Sequence, residues 1–140
     1  MRLTSHKGFT FIETILTLMV LGGGVLGVLT IYNQNIARAN EMEQTLIATS
    51  LAEQKLEQIL HDKKYQLYAY VIQANYPTEN LLAQGYPGYT RTTTILEVDP
   101  VDLSTAKNGS GYKKITVMVQ TTGGLPVSIP TLVTLWGEDG

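Results

Sequence analysis

The sequence predicts an α+β protein in which one long N-terminal helix packs on a small antiparallel β-sheet. Three observations predict it. An apolar run occupies Phe9 to Tyr32, helix-forming sequence then continues to Leu60, and three strand-like runs with turn-forming links fill the C-terminal part. Consecutive strands with short links favour antiparallel pairing. A half-apolar helix beside such a sheet gives a two-layer packing.

The first element is the apolar run. As a helix, Phe9 to Tyr32 spans roughly 36 Å at about 1.5 Å per residue, and a bilayer core is about 30 Å thick. Glu13 is the only charge inside it, and the preceding flank carries Arg2, His6 and Lys7 with no acid. Basic residues on a short flank keep that end cytoplasmic, so the rest of the chain is expected outside the cytoplasm. An ordinary secretory signal has a shorter apolar core and a small-residue cleavage site after it. Here the run is long, and Asn33-Gln34-Asn35 leads into more helix-forming sequence.

The second element is the continuation from Ile36 to Leu60. It lacks Gly and Pro and is dominated by Ala, Leu, Glu, Gln and Lys, which are strong helix formers. Ile36, Ile47, Ala48, Leu51, Ala52, Leu56, Ile59 and Leu60 supply an apolar stripe at helical spacing. The expectation is one helix from about residue 9 to 60, amphipathic in its second half. His61 to Gly88 is Tyr-rich and interrupted by Pro77, Gly85, Pro87 and Gly88, which predicts an irregular connection with a short helix near Gln66 to Gln73.

The strands come last. Tyr89 to Val98 is rich in Thr, Ile and Val. Tyr112 to Thr121 alternates, with Ile115, Val117 and Val119 on one face and Thr116, Met118 and Gln120 on the other. Val127 to Trp136 contains Pro130, which marks an edge or bulged strand. Asp99 to Gly111 and Gly123 to Pro126 are turn-forming links.

Composition excludes several functions. With 140 residues the chain has room for one domain, and its net charge of −2 gives no reason to expect nucleic acid as a direct partner. There is no cysteine, hence no disulfide, thiol nucleophile or thiolate metal site. No catalytic residue set, cofactor site or metal site is expected. His61, beside Asp62, Lys63 and Lys64, reads as a solvated helix end. Asp99, Asp102 and Asn108 could gather oxygen ligands for calcium, but no EF-hand spacing is present, and they read as turn residues. Tyrosines at 65, 68, 70, 76, 86, 89 and 112 suit interface contacts or core packing equally.

Glu13 is the residue that composition alone leaves to be explained. A carboxylate within a membrane span costs about 2.5–3.5 kcal/mol and usually marks function; the alternative is that it lies at the headgroup boundary and reaches water. Gly22, Gly23, Gly24 and Gly27 have three readings: a G-x-x-x-G association motif at Gly23 and Gly27, a soft spot in the helix, or the ordinary abundance of glycine in membrane helices.

The string Lys7-Gly8-Phe9-Thr10-Phe11-Ile12-Glu13, followed by an apolar helix, resembles the processing site of type IV pilins and type II secretion pseudopilins. The resemblance implies leader cleavage between Gly8 and Phe9 by a prepilin peptidase, N-methylation of Phe9, and a filament-assembly role for Glu13, the fifth residue after the cut. It implies a pilin-like domain order: leader 1–8, transmembrane and assembly helix 9–32, and globular domain 33–140 including the second half of the helix. The implied partners are the peptidase, other pilin or pseudopilin subunits and the inner membrane. The implied location is a single-pass inner-membrane protein with its N-terminus cytoplasmic and its globular domain periplasmic or extracellular. Cleavage creates a cationic amine on Phe9 that a neighbour's Glu13 can pair, making two costly charges tolerable together. Thr45 to Glu57, Lys113 to Val119 and Pro130 to Val133 are similar to I-class minor pseudopilins and V-type minor pilins. The competing class is a single-pass anchored binding module that does not polymerise.

Overall fold

The computed structural model describes Gly8 and residues 10–136. The chain is α+β: helix α1 spans Phe11–Gln66, and strands β1 (Glu79–Asn80), β2 (Tyr89–Glu97), β3 (Tyr112–Thr121) and β4 (Val127–Thr134) form one sheet in the order β1-β2-β3-β4. It divides into two compact units, Met1–Asn40 and Glu41–Gly140.

In the first unit, Thr10 starts the helix. Its Oγ1 accepts from the Glu13 backbone N–H at 3.3 Å and its carbonyl accepts from Thr14 N at 3.1 Å, so one of the first-turn donors left open by helix geometry is filled. Thr17 and Thr30 donate their hydroxyls to the carbonyls of Glu13 and Leu26, at 2.7 and 2.9 Å. The threonine hydroxyls in the apolar run, Thr14 included, are thus satisfied within their own helix, which is what a lipid environment demands. Every residue of α1 from Phe11 to Asn40 is exposed.

The second unit holds the core. Ala48, Leu51, Ala52, Lys55, Leu56 and Ile59 form the buried arc of α1, with the three-and-four spacing of a single helix face. Ile36 and Leu60, which the sequence places in the stripe, are 44% and 45% exposed: Leu60 falls outside the buried arc at about 100° per residue, and Ile36 belongs to the first unit, where the whole helix is exposed. The arc packs with Ile115, Val117, Val119 and Val133 of the sheet and with Tyr68, Val71, Tyr76, Leu81 and Tyr89.

The three long strands pair antiparallel, with Thr93 opposite Val117 and Val117 opposite Ile129. β3 follows the expected register: Ile115, Val117 and Val119 are buried, while Met118 and Gln120 are exposed. β4 is an edge strand, as Pro130 requires, with Pro130 opposite Thr116. It ends at Thr134, two residues short of expectation, and β2 ends at Glu97, leaving Val98 in an isolated bridge with Ala106.

Between helix and sheet the sequence expectation needs correction. α1 runs on to Gln66, and in place of a short helix there are two 3-10 turns, Tyr68–Tyr70 and Gln73–Asn75. The break falls at Leu67, whose φ of 68° and ψ of 167° are incompatible with helix and belong to a region almost reserved for glycine. Gln73 then serves as a substitute strand: its side-chain amide donates to Thr93 O and accepts from Ile95 N, both at 2.8 Å. β1, a two-residue strand that sequence reading missed, pairs Glu79 with Arg91.

Candidate assembly segment and a buried ionic cluster

Sequence reading singled out Gly8, Phe9 and Glu13. Gly8 is exposed, and Phe9, with the cleavage and methylation expected there, lies outside the described residues. Glu13 sits in the first turn of α1, exposed, with its carboxylate on a helix otherwise apolar to Tyr32. Among the described residues, α1 is the helix long and apolar enough to cross a membrane.

Its surface is not uniform. Val20, Leu21, Gly24, Val25, Val28 and Leu29 line a shallow apolar concavity. A methyl group added at Gly22, Gly23, Gly24 or Gly27 would meet nothing within 4 Å. Packing inside the chain therefore does not require these glycines. At about 100° per residue, Glu13, Val20, Gly24 and Gly27 share one face of the helix.

The polar centre of the second unit was not anticipated. Lys55 lies within the apolar arc of α1 and Arg91 on the helix-facing side of β2, each 4% exposed. Glu79 joins them: Lys55 Nζ donates to its Oε1 at 3.0 Å and Arg91 Nε to its Oε2 at 2.7 Å. The remaining donors are used as well. Arg91 Nη1 reaches Leu51 O at 2.9 Å and Gln54 Oε1 at 3.3 Å, and Lys55 Nζ reaches Gln58 Oε1 at 3.2 Å. Burial alone would raise the Glu79 carboxyl, but the hydrogen bonds from Arg91 and Lys55 outweigh it and hold its pKa below the ordinary value. The cluster ties α1 to β1 and β2. A lysine at the centre of an apolar helical stripe was the signal available in the sequence.

Two further buried polar groups, on Tyr76 and Lys113, are also matched. Tyr76 is buried, and its hydroxyl donates to Asp62 Oδ2 at 2.9 Å. Burial, and then that carboxylate, push the phenol well above its usual range. Lys113, 5% exposed, donates to Tyr68 O at 3.0 Å and lies 3.9 Å from the centre of its ring, a desolvated cation–π contact. Thus Tyr68, Tyr76 and Tyr89 serve the core, while Tyr65, Tyr70 and Tyr86 are exposed.

His61 is exposed, 4.0 Å from Asp62, with its ring 4.4 Å from that of Tyr65 and tilted by 37° to it. In the link after β2, Asp99 accepts from Val101 N and Lys107 Nζ, and Asp102 accepts from the backbone N–H groups of Ser104 and Thr105 and from the Thr105 hydroxyl. The Thr105 hydroxyl and the two backbone donors draw the Asp102 pKa down to about 2. These carboxylates act as turn residues, each supplied by its own loop. Among the described residues no group of three acids or histidines is placed to hold a metal ion.

The architecture is pilin-like: an apolar N-terminal helix whose second half packs on a small antiparallel sheet. No family model matches the chain, and no curated protein or solved structure is significantly similar to it.

Proposed function

We propose that this chain is a minor pilin or pseudopilin subunit, anchored in the inner membrane by residues 9–32 and assembled into a type IV pilus or type II secretion pseudopilus after leader cleavage. The observation that carries the reading is the first half of α1. It is apolar, exposed throughout, and bears a single carboxylate in its first turn. An exposed surface of this size needs either lipid or neighbouring helices to cover it. Before assembly the membrane covers it; after assembly equivalent helices of other subunits do. Glu13 then pairs with the Phe9 amine of a neighbour, which sets the axial position of one subunit on the next. The leader blocks that amine, so processing precedes assembly. No catalytic role is part of this reading.

Mass spectrometry of the mature N-terminus in a host carrying a prepilin peptidase tests it. The expected species begins at Phe9 and is heavier by one methyl group. An intact Met1 start, or a cut beyond Tyr32, would sink the proposal and favour a single-pass anchored binding module.

A further inference from the structure

The sheet is covered at one edge and open at the other. On the far side of β2, β1 and the side-chain amide of Gln73 take up the backbone groups. β4 is the opposite edge, and among the described residues no strand pairs with its outer side. Leu135 N–H donates to Gly111 O at 2.8 Å. In the same register Val127, Ile129, Thr131 and Val133 bond to β3, because bonded and non-bonded pairs alternate in an antiparallel ladder. Ser128, Pro130, Leu132 and Thr134 therefore aim their backbone groups outward. Pro130 has no N–H to offer, which leaves the donors of Ser128, Leu132 and Thr134. The outer face beside this edge is apolar with one cation in it. Leu96, Lys114 and Leu132 form one cross-strand row, and the two leucines are 42% and 39% exposed. Leu103, Lys114, Pro130, Thr131 and Leu132 line a shallow concavity of about 260 Å³. Its Leu103 wall is fixed: Leu103 N–H donates to Asp99 O at 2.8 Å, and Asp99 is itself held by Lys107 at 2.8 Å. Among the described residues no carboxylate pairs with Lys114.

We infer that β4 and this concavity receive an extended segment of a different protein, added to the sheet as a further strand, with an apolar side chain seated against Leu103 and Leu132 and a glutamate paired with Lys114. Strand addition at a free edge draws affinity from main-chain hydrogen bonds and specificity from alternate side chains. Here the outward groups of Leu132 and Thr134 supply the first, and the concavity supplies the second. The added strand lies two inter-strand spacings from β3, about 10 Å, which a lysine and a glutamate side chain reaching towards each other cover. Charge decides against a second copy of this chain: Val127–Thr134 contains no acid, so β4 of another copy has nothing to offer Lys114. Pro130 works the same way, since a missing donor in the middle of an edge weakens pairing between like edges. A preset wall at Leu103 lowers the ordering cost of binding. The site lies wholly within the second unit and does not depend on the apolar half of α1.

The probe is a display library of short peptides in which threonine alternates with randomised positions, selected on the full-length chain in detergent micelles. Selected peptides are then titrated by fluorescence anisotropy. The expected sequences carry a glutamate two residues from a leucine, isoleucine or valine. Lys114→Glu should weaken them at least tenfold. A peptide with lysine in place of its glutamate should regain that affinity on Lys114→Glu, which a misfolded variant could not provide. N-methylating one alternate set of peptide amides should abolish binding, and N-methylating the other set should spare it, because an added strand turns only one edge towards β4. Selection without acid enrichment, affinity indifferent to Lys114→Glu, or equal loss from both methylated sets overturns the inference. So does an empty selection, which leaves Lys114 as a stem covering Leu96 and Leu132 with its head in water. A tenfold gain in peptide affinity on Glu138→Gln with Asp139→Asn assigns the groove to the chain's own acidic end, and a dimer dispersed by Lys114→Glu assigns it to a second copy; either result overturns the inference too. Processing at Phe9 is read separately, so failure here leaves the proposed function standing.

Discussion

Glu79→Gln isolates the electrostatic weight of the buried cluster. The substitution preserves shape and one acceptor but removes the carboxylate that, among the described residues, Lys55 and Arg91 share, each of them 4% exposed. Breaking a buried ion pair by neutralising one partner costs about 3–5 kcal/mol. Glu79 is itself 26% exposed, so water relieves part of that cost, and about 3 kcal/mol is expected at pH 7. For a domain of this size that lowers Tm by roughly 12–24 °C. The pH dependence has a definite sign. The folded-state pKa of Glu79 is depressed by Arg91 and Lys55 against the opposing effect of burial. Its contribution is therefore complete above the unfolded carboxylate pKa and disappears as pH falls through the folded value. The assay is urea unfolding of the detergent-solubilised chain followed by tyrosine near-UV circular dichroism, at pH 7 and in stepwise acidification. The wild-type advantage should shrink towards zero in acid. Replacing all three residues at once (Lys55→Met, Glu79→Leu, Arg91→Met) should recover most of the loss, since an apolar filling of similar volume can match a buried ion cluster. A Glu79→Gln cost below about 0.5 kcal/mol at neutral pH, or one that persists undiminished in strong acid, would refute the reasoning.

Three further outcomes are expected. Val117→Asp buries an unpaired charge at a fully buried position of β3 and should cost about 3 kcal/mol or more, while Gln120→Asp on the exposed face should be nearly silent; equal costs in urea unfolding would contradict the observed register. Leu67→Gly relieves a φ of 68° on an exposed leucine, and because such strain is worth about 1–3 kcal/mol against up to about 1 kcal/mol of glycine entropy, a net gain of about 1 kcal/mol is expected, with any loss of stability counting against strain at that site. Glu13→Ala should insert in the membrane at wild-type level and be cleaved normally, yet fail to cross-link to neighbouring subunits, because the Phe9 amine loses its partner; unchanged cross-linking would favour a carboxylate that merely reaches water at the headgroup boundary.

Periodicity is a local property, and what depends on it was legible in the sequence. The apolar run with its single acid, the helix continuing past Tyr32, and the alternation of Ile115, Val117 and Val119 each follow from side-chain direction along one element. Gly8, Phe9 and Glu13 were singled out by motif alone; Phe9 lies outside the described residues, and Gly8 and Glu13 are exposed. The tertiary structure alone decided what happens where elements meet. Lys55 stands in the apolar stripe of α1, but only the fold brings it Glu79 of β1 as a counter-charge, shared with Arg91 of β2. Leu67, not a Gly or Pro, ends α1, because long-range packing of Tyr68 and Val71 holds a backbone conformation that local propensity disfavours. Gln73 completes the sheet edge from outside any strand pattern. These features share one physical cause: each depends on partners twelve or more residues away, which no short window along the chain contains.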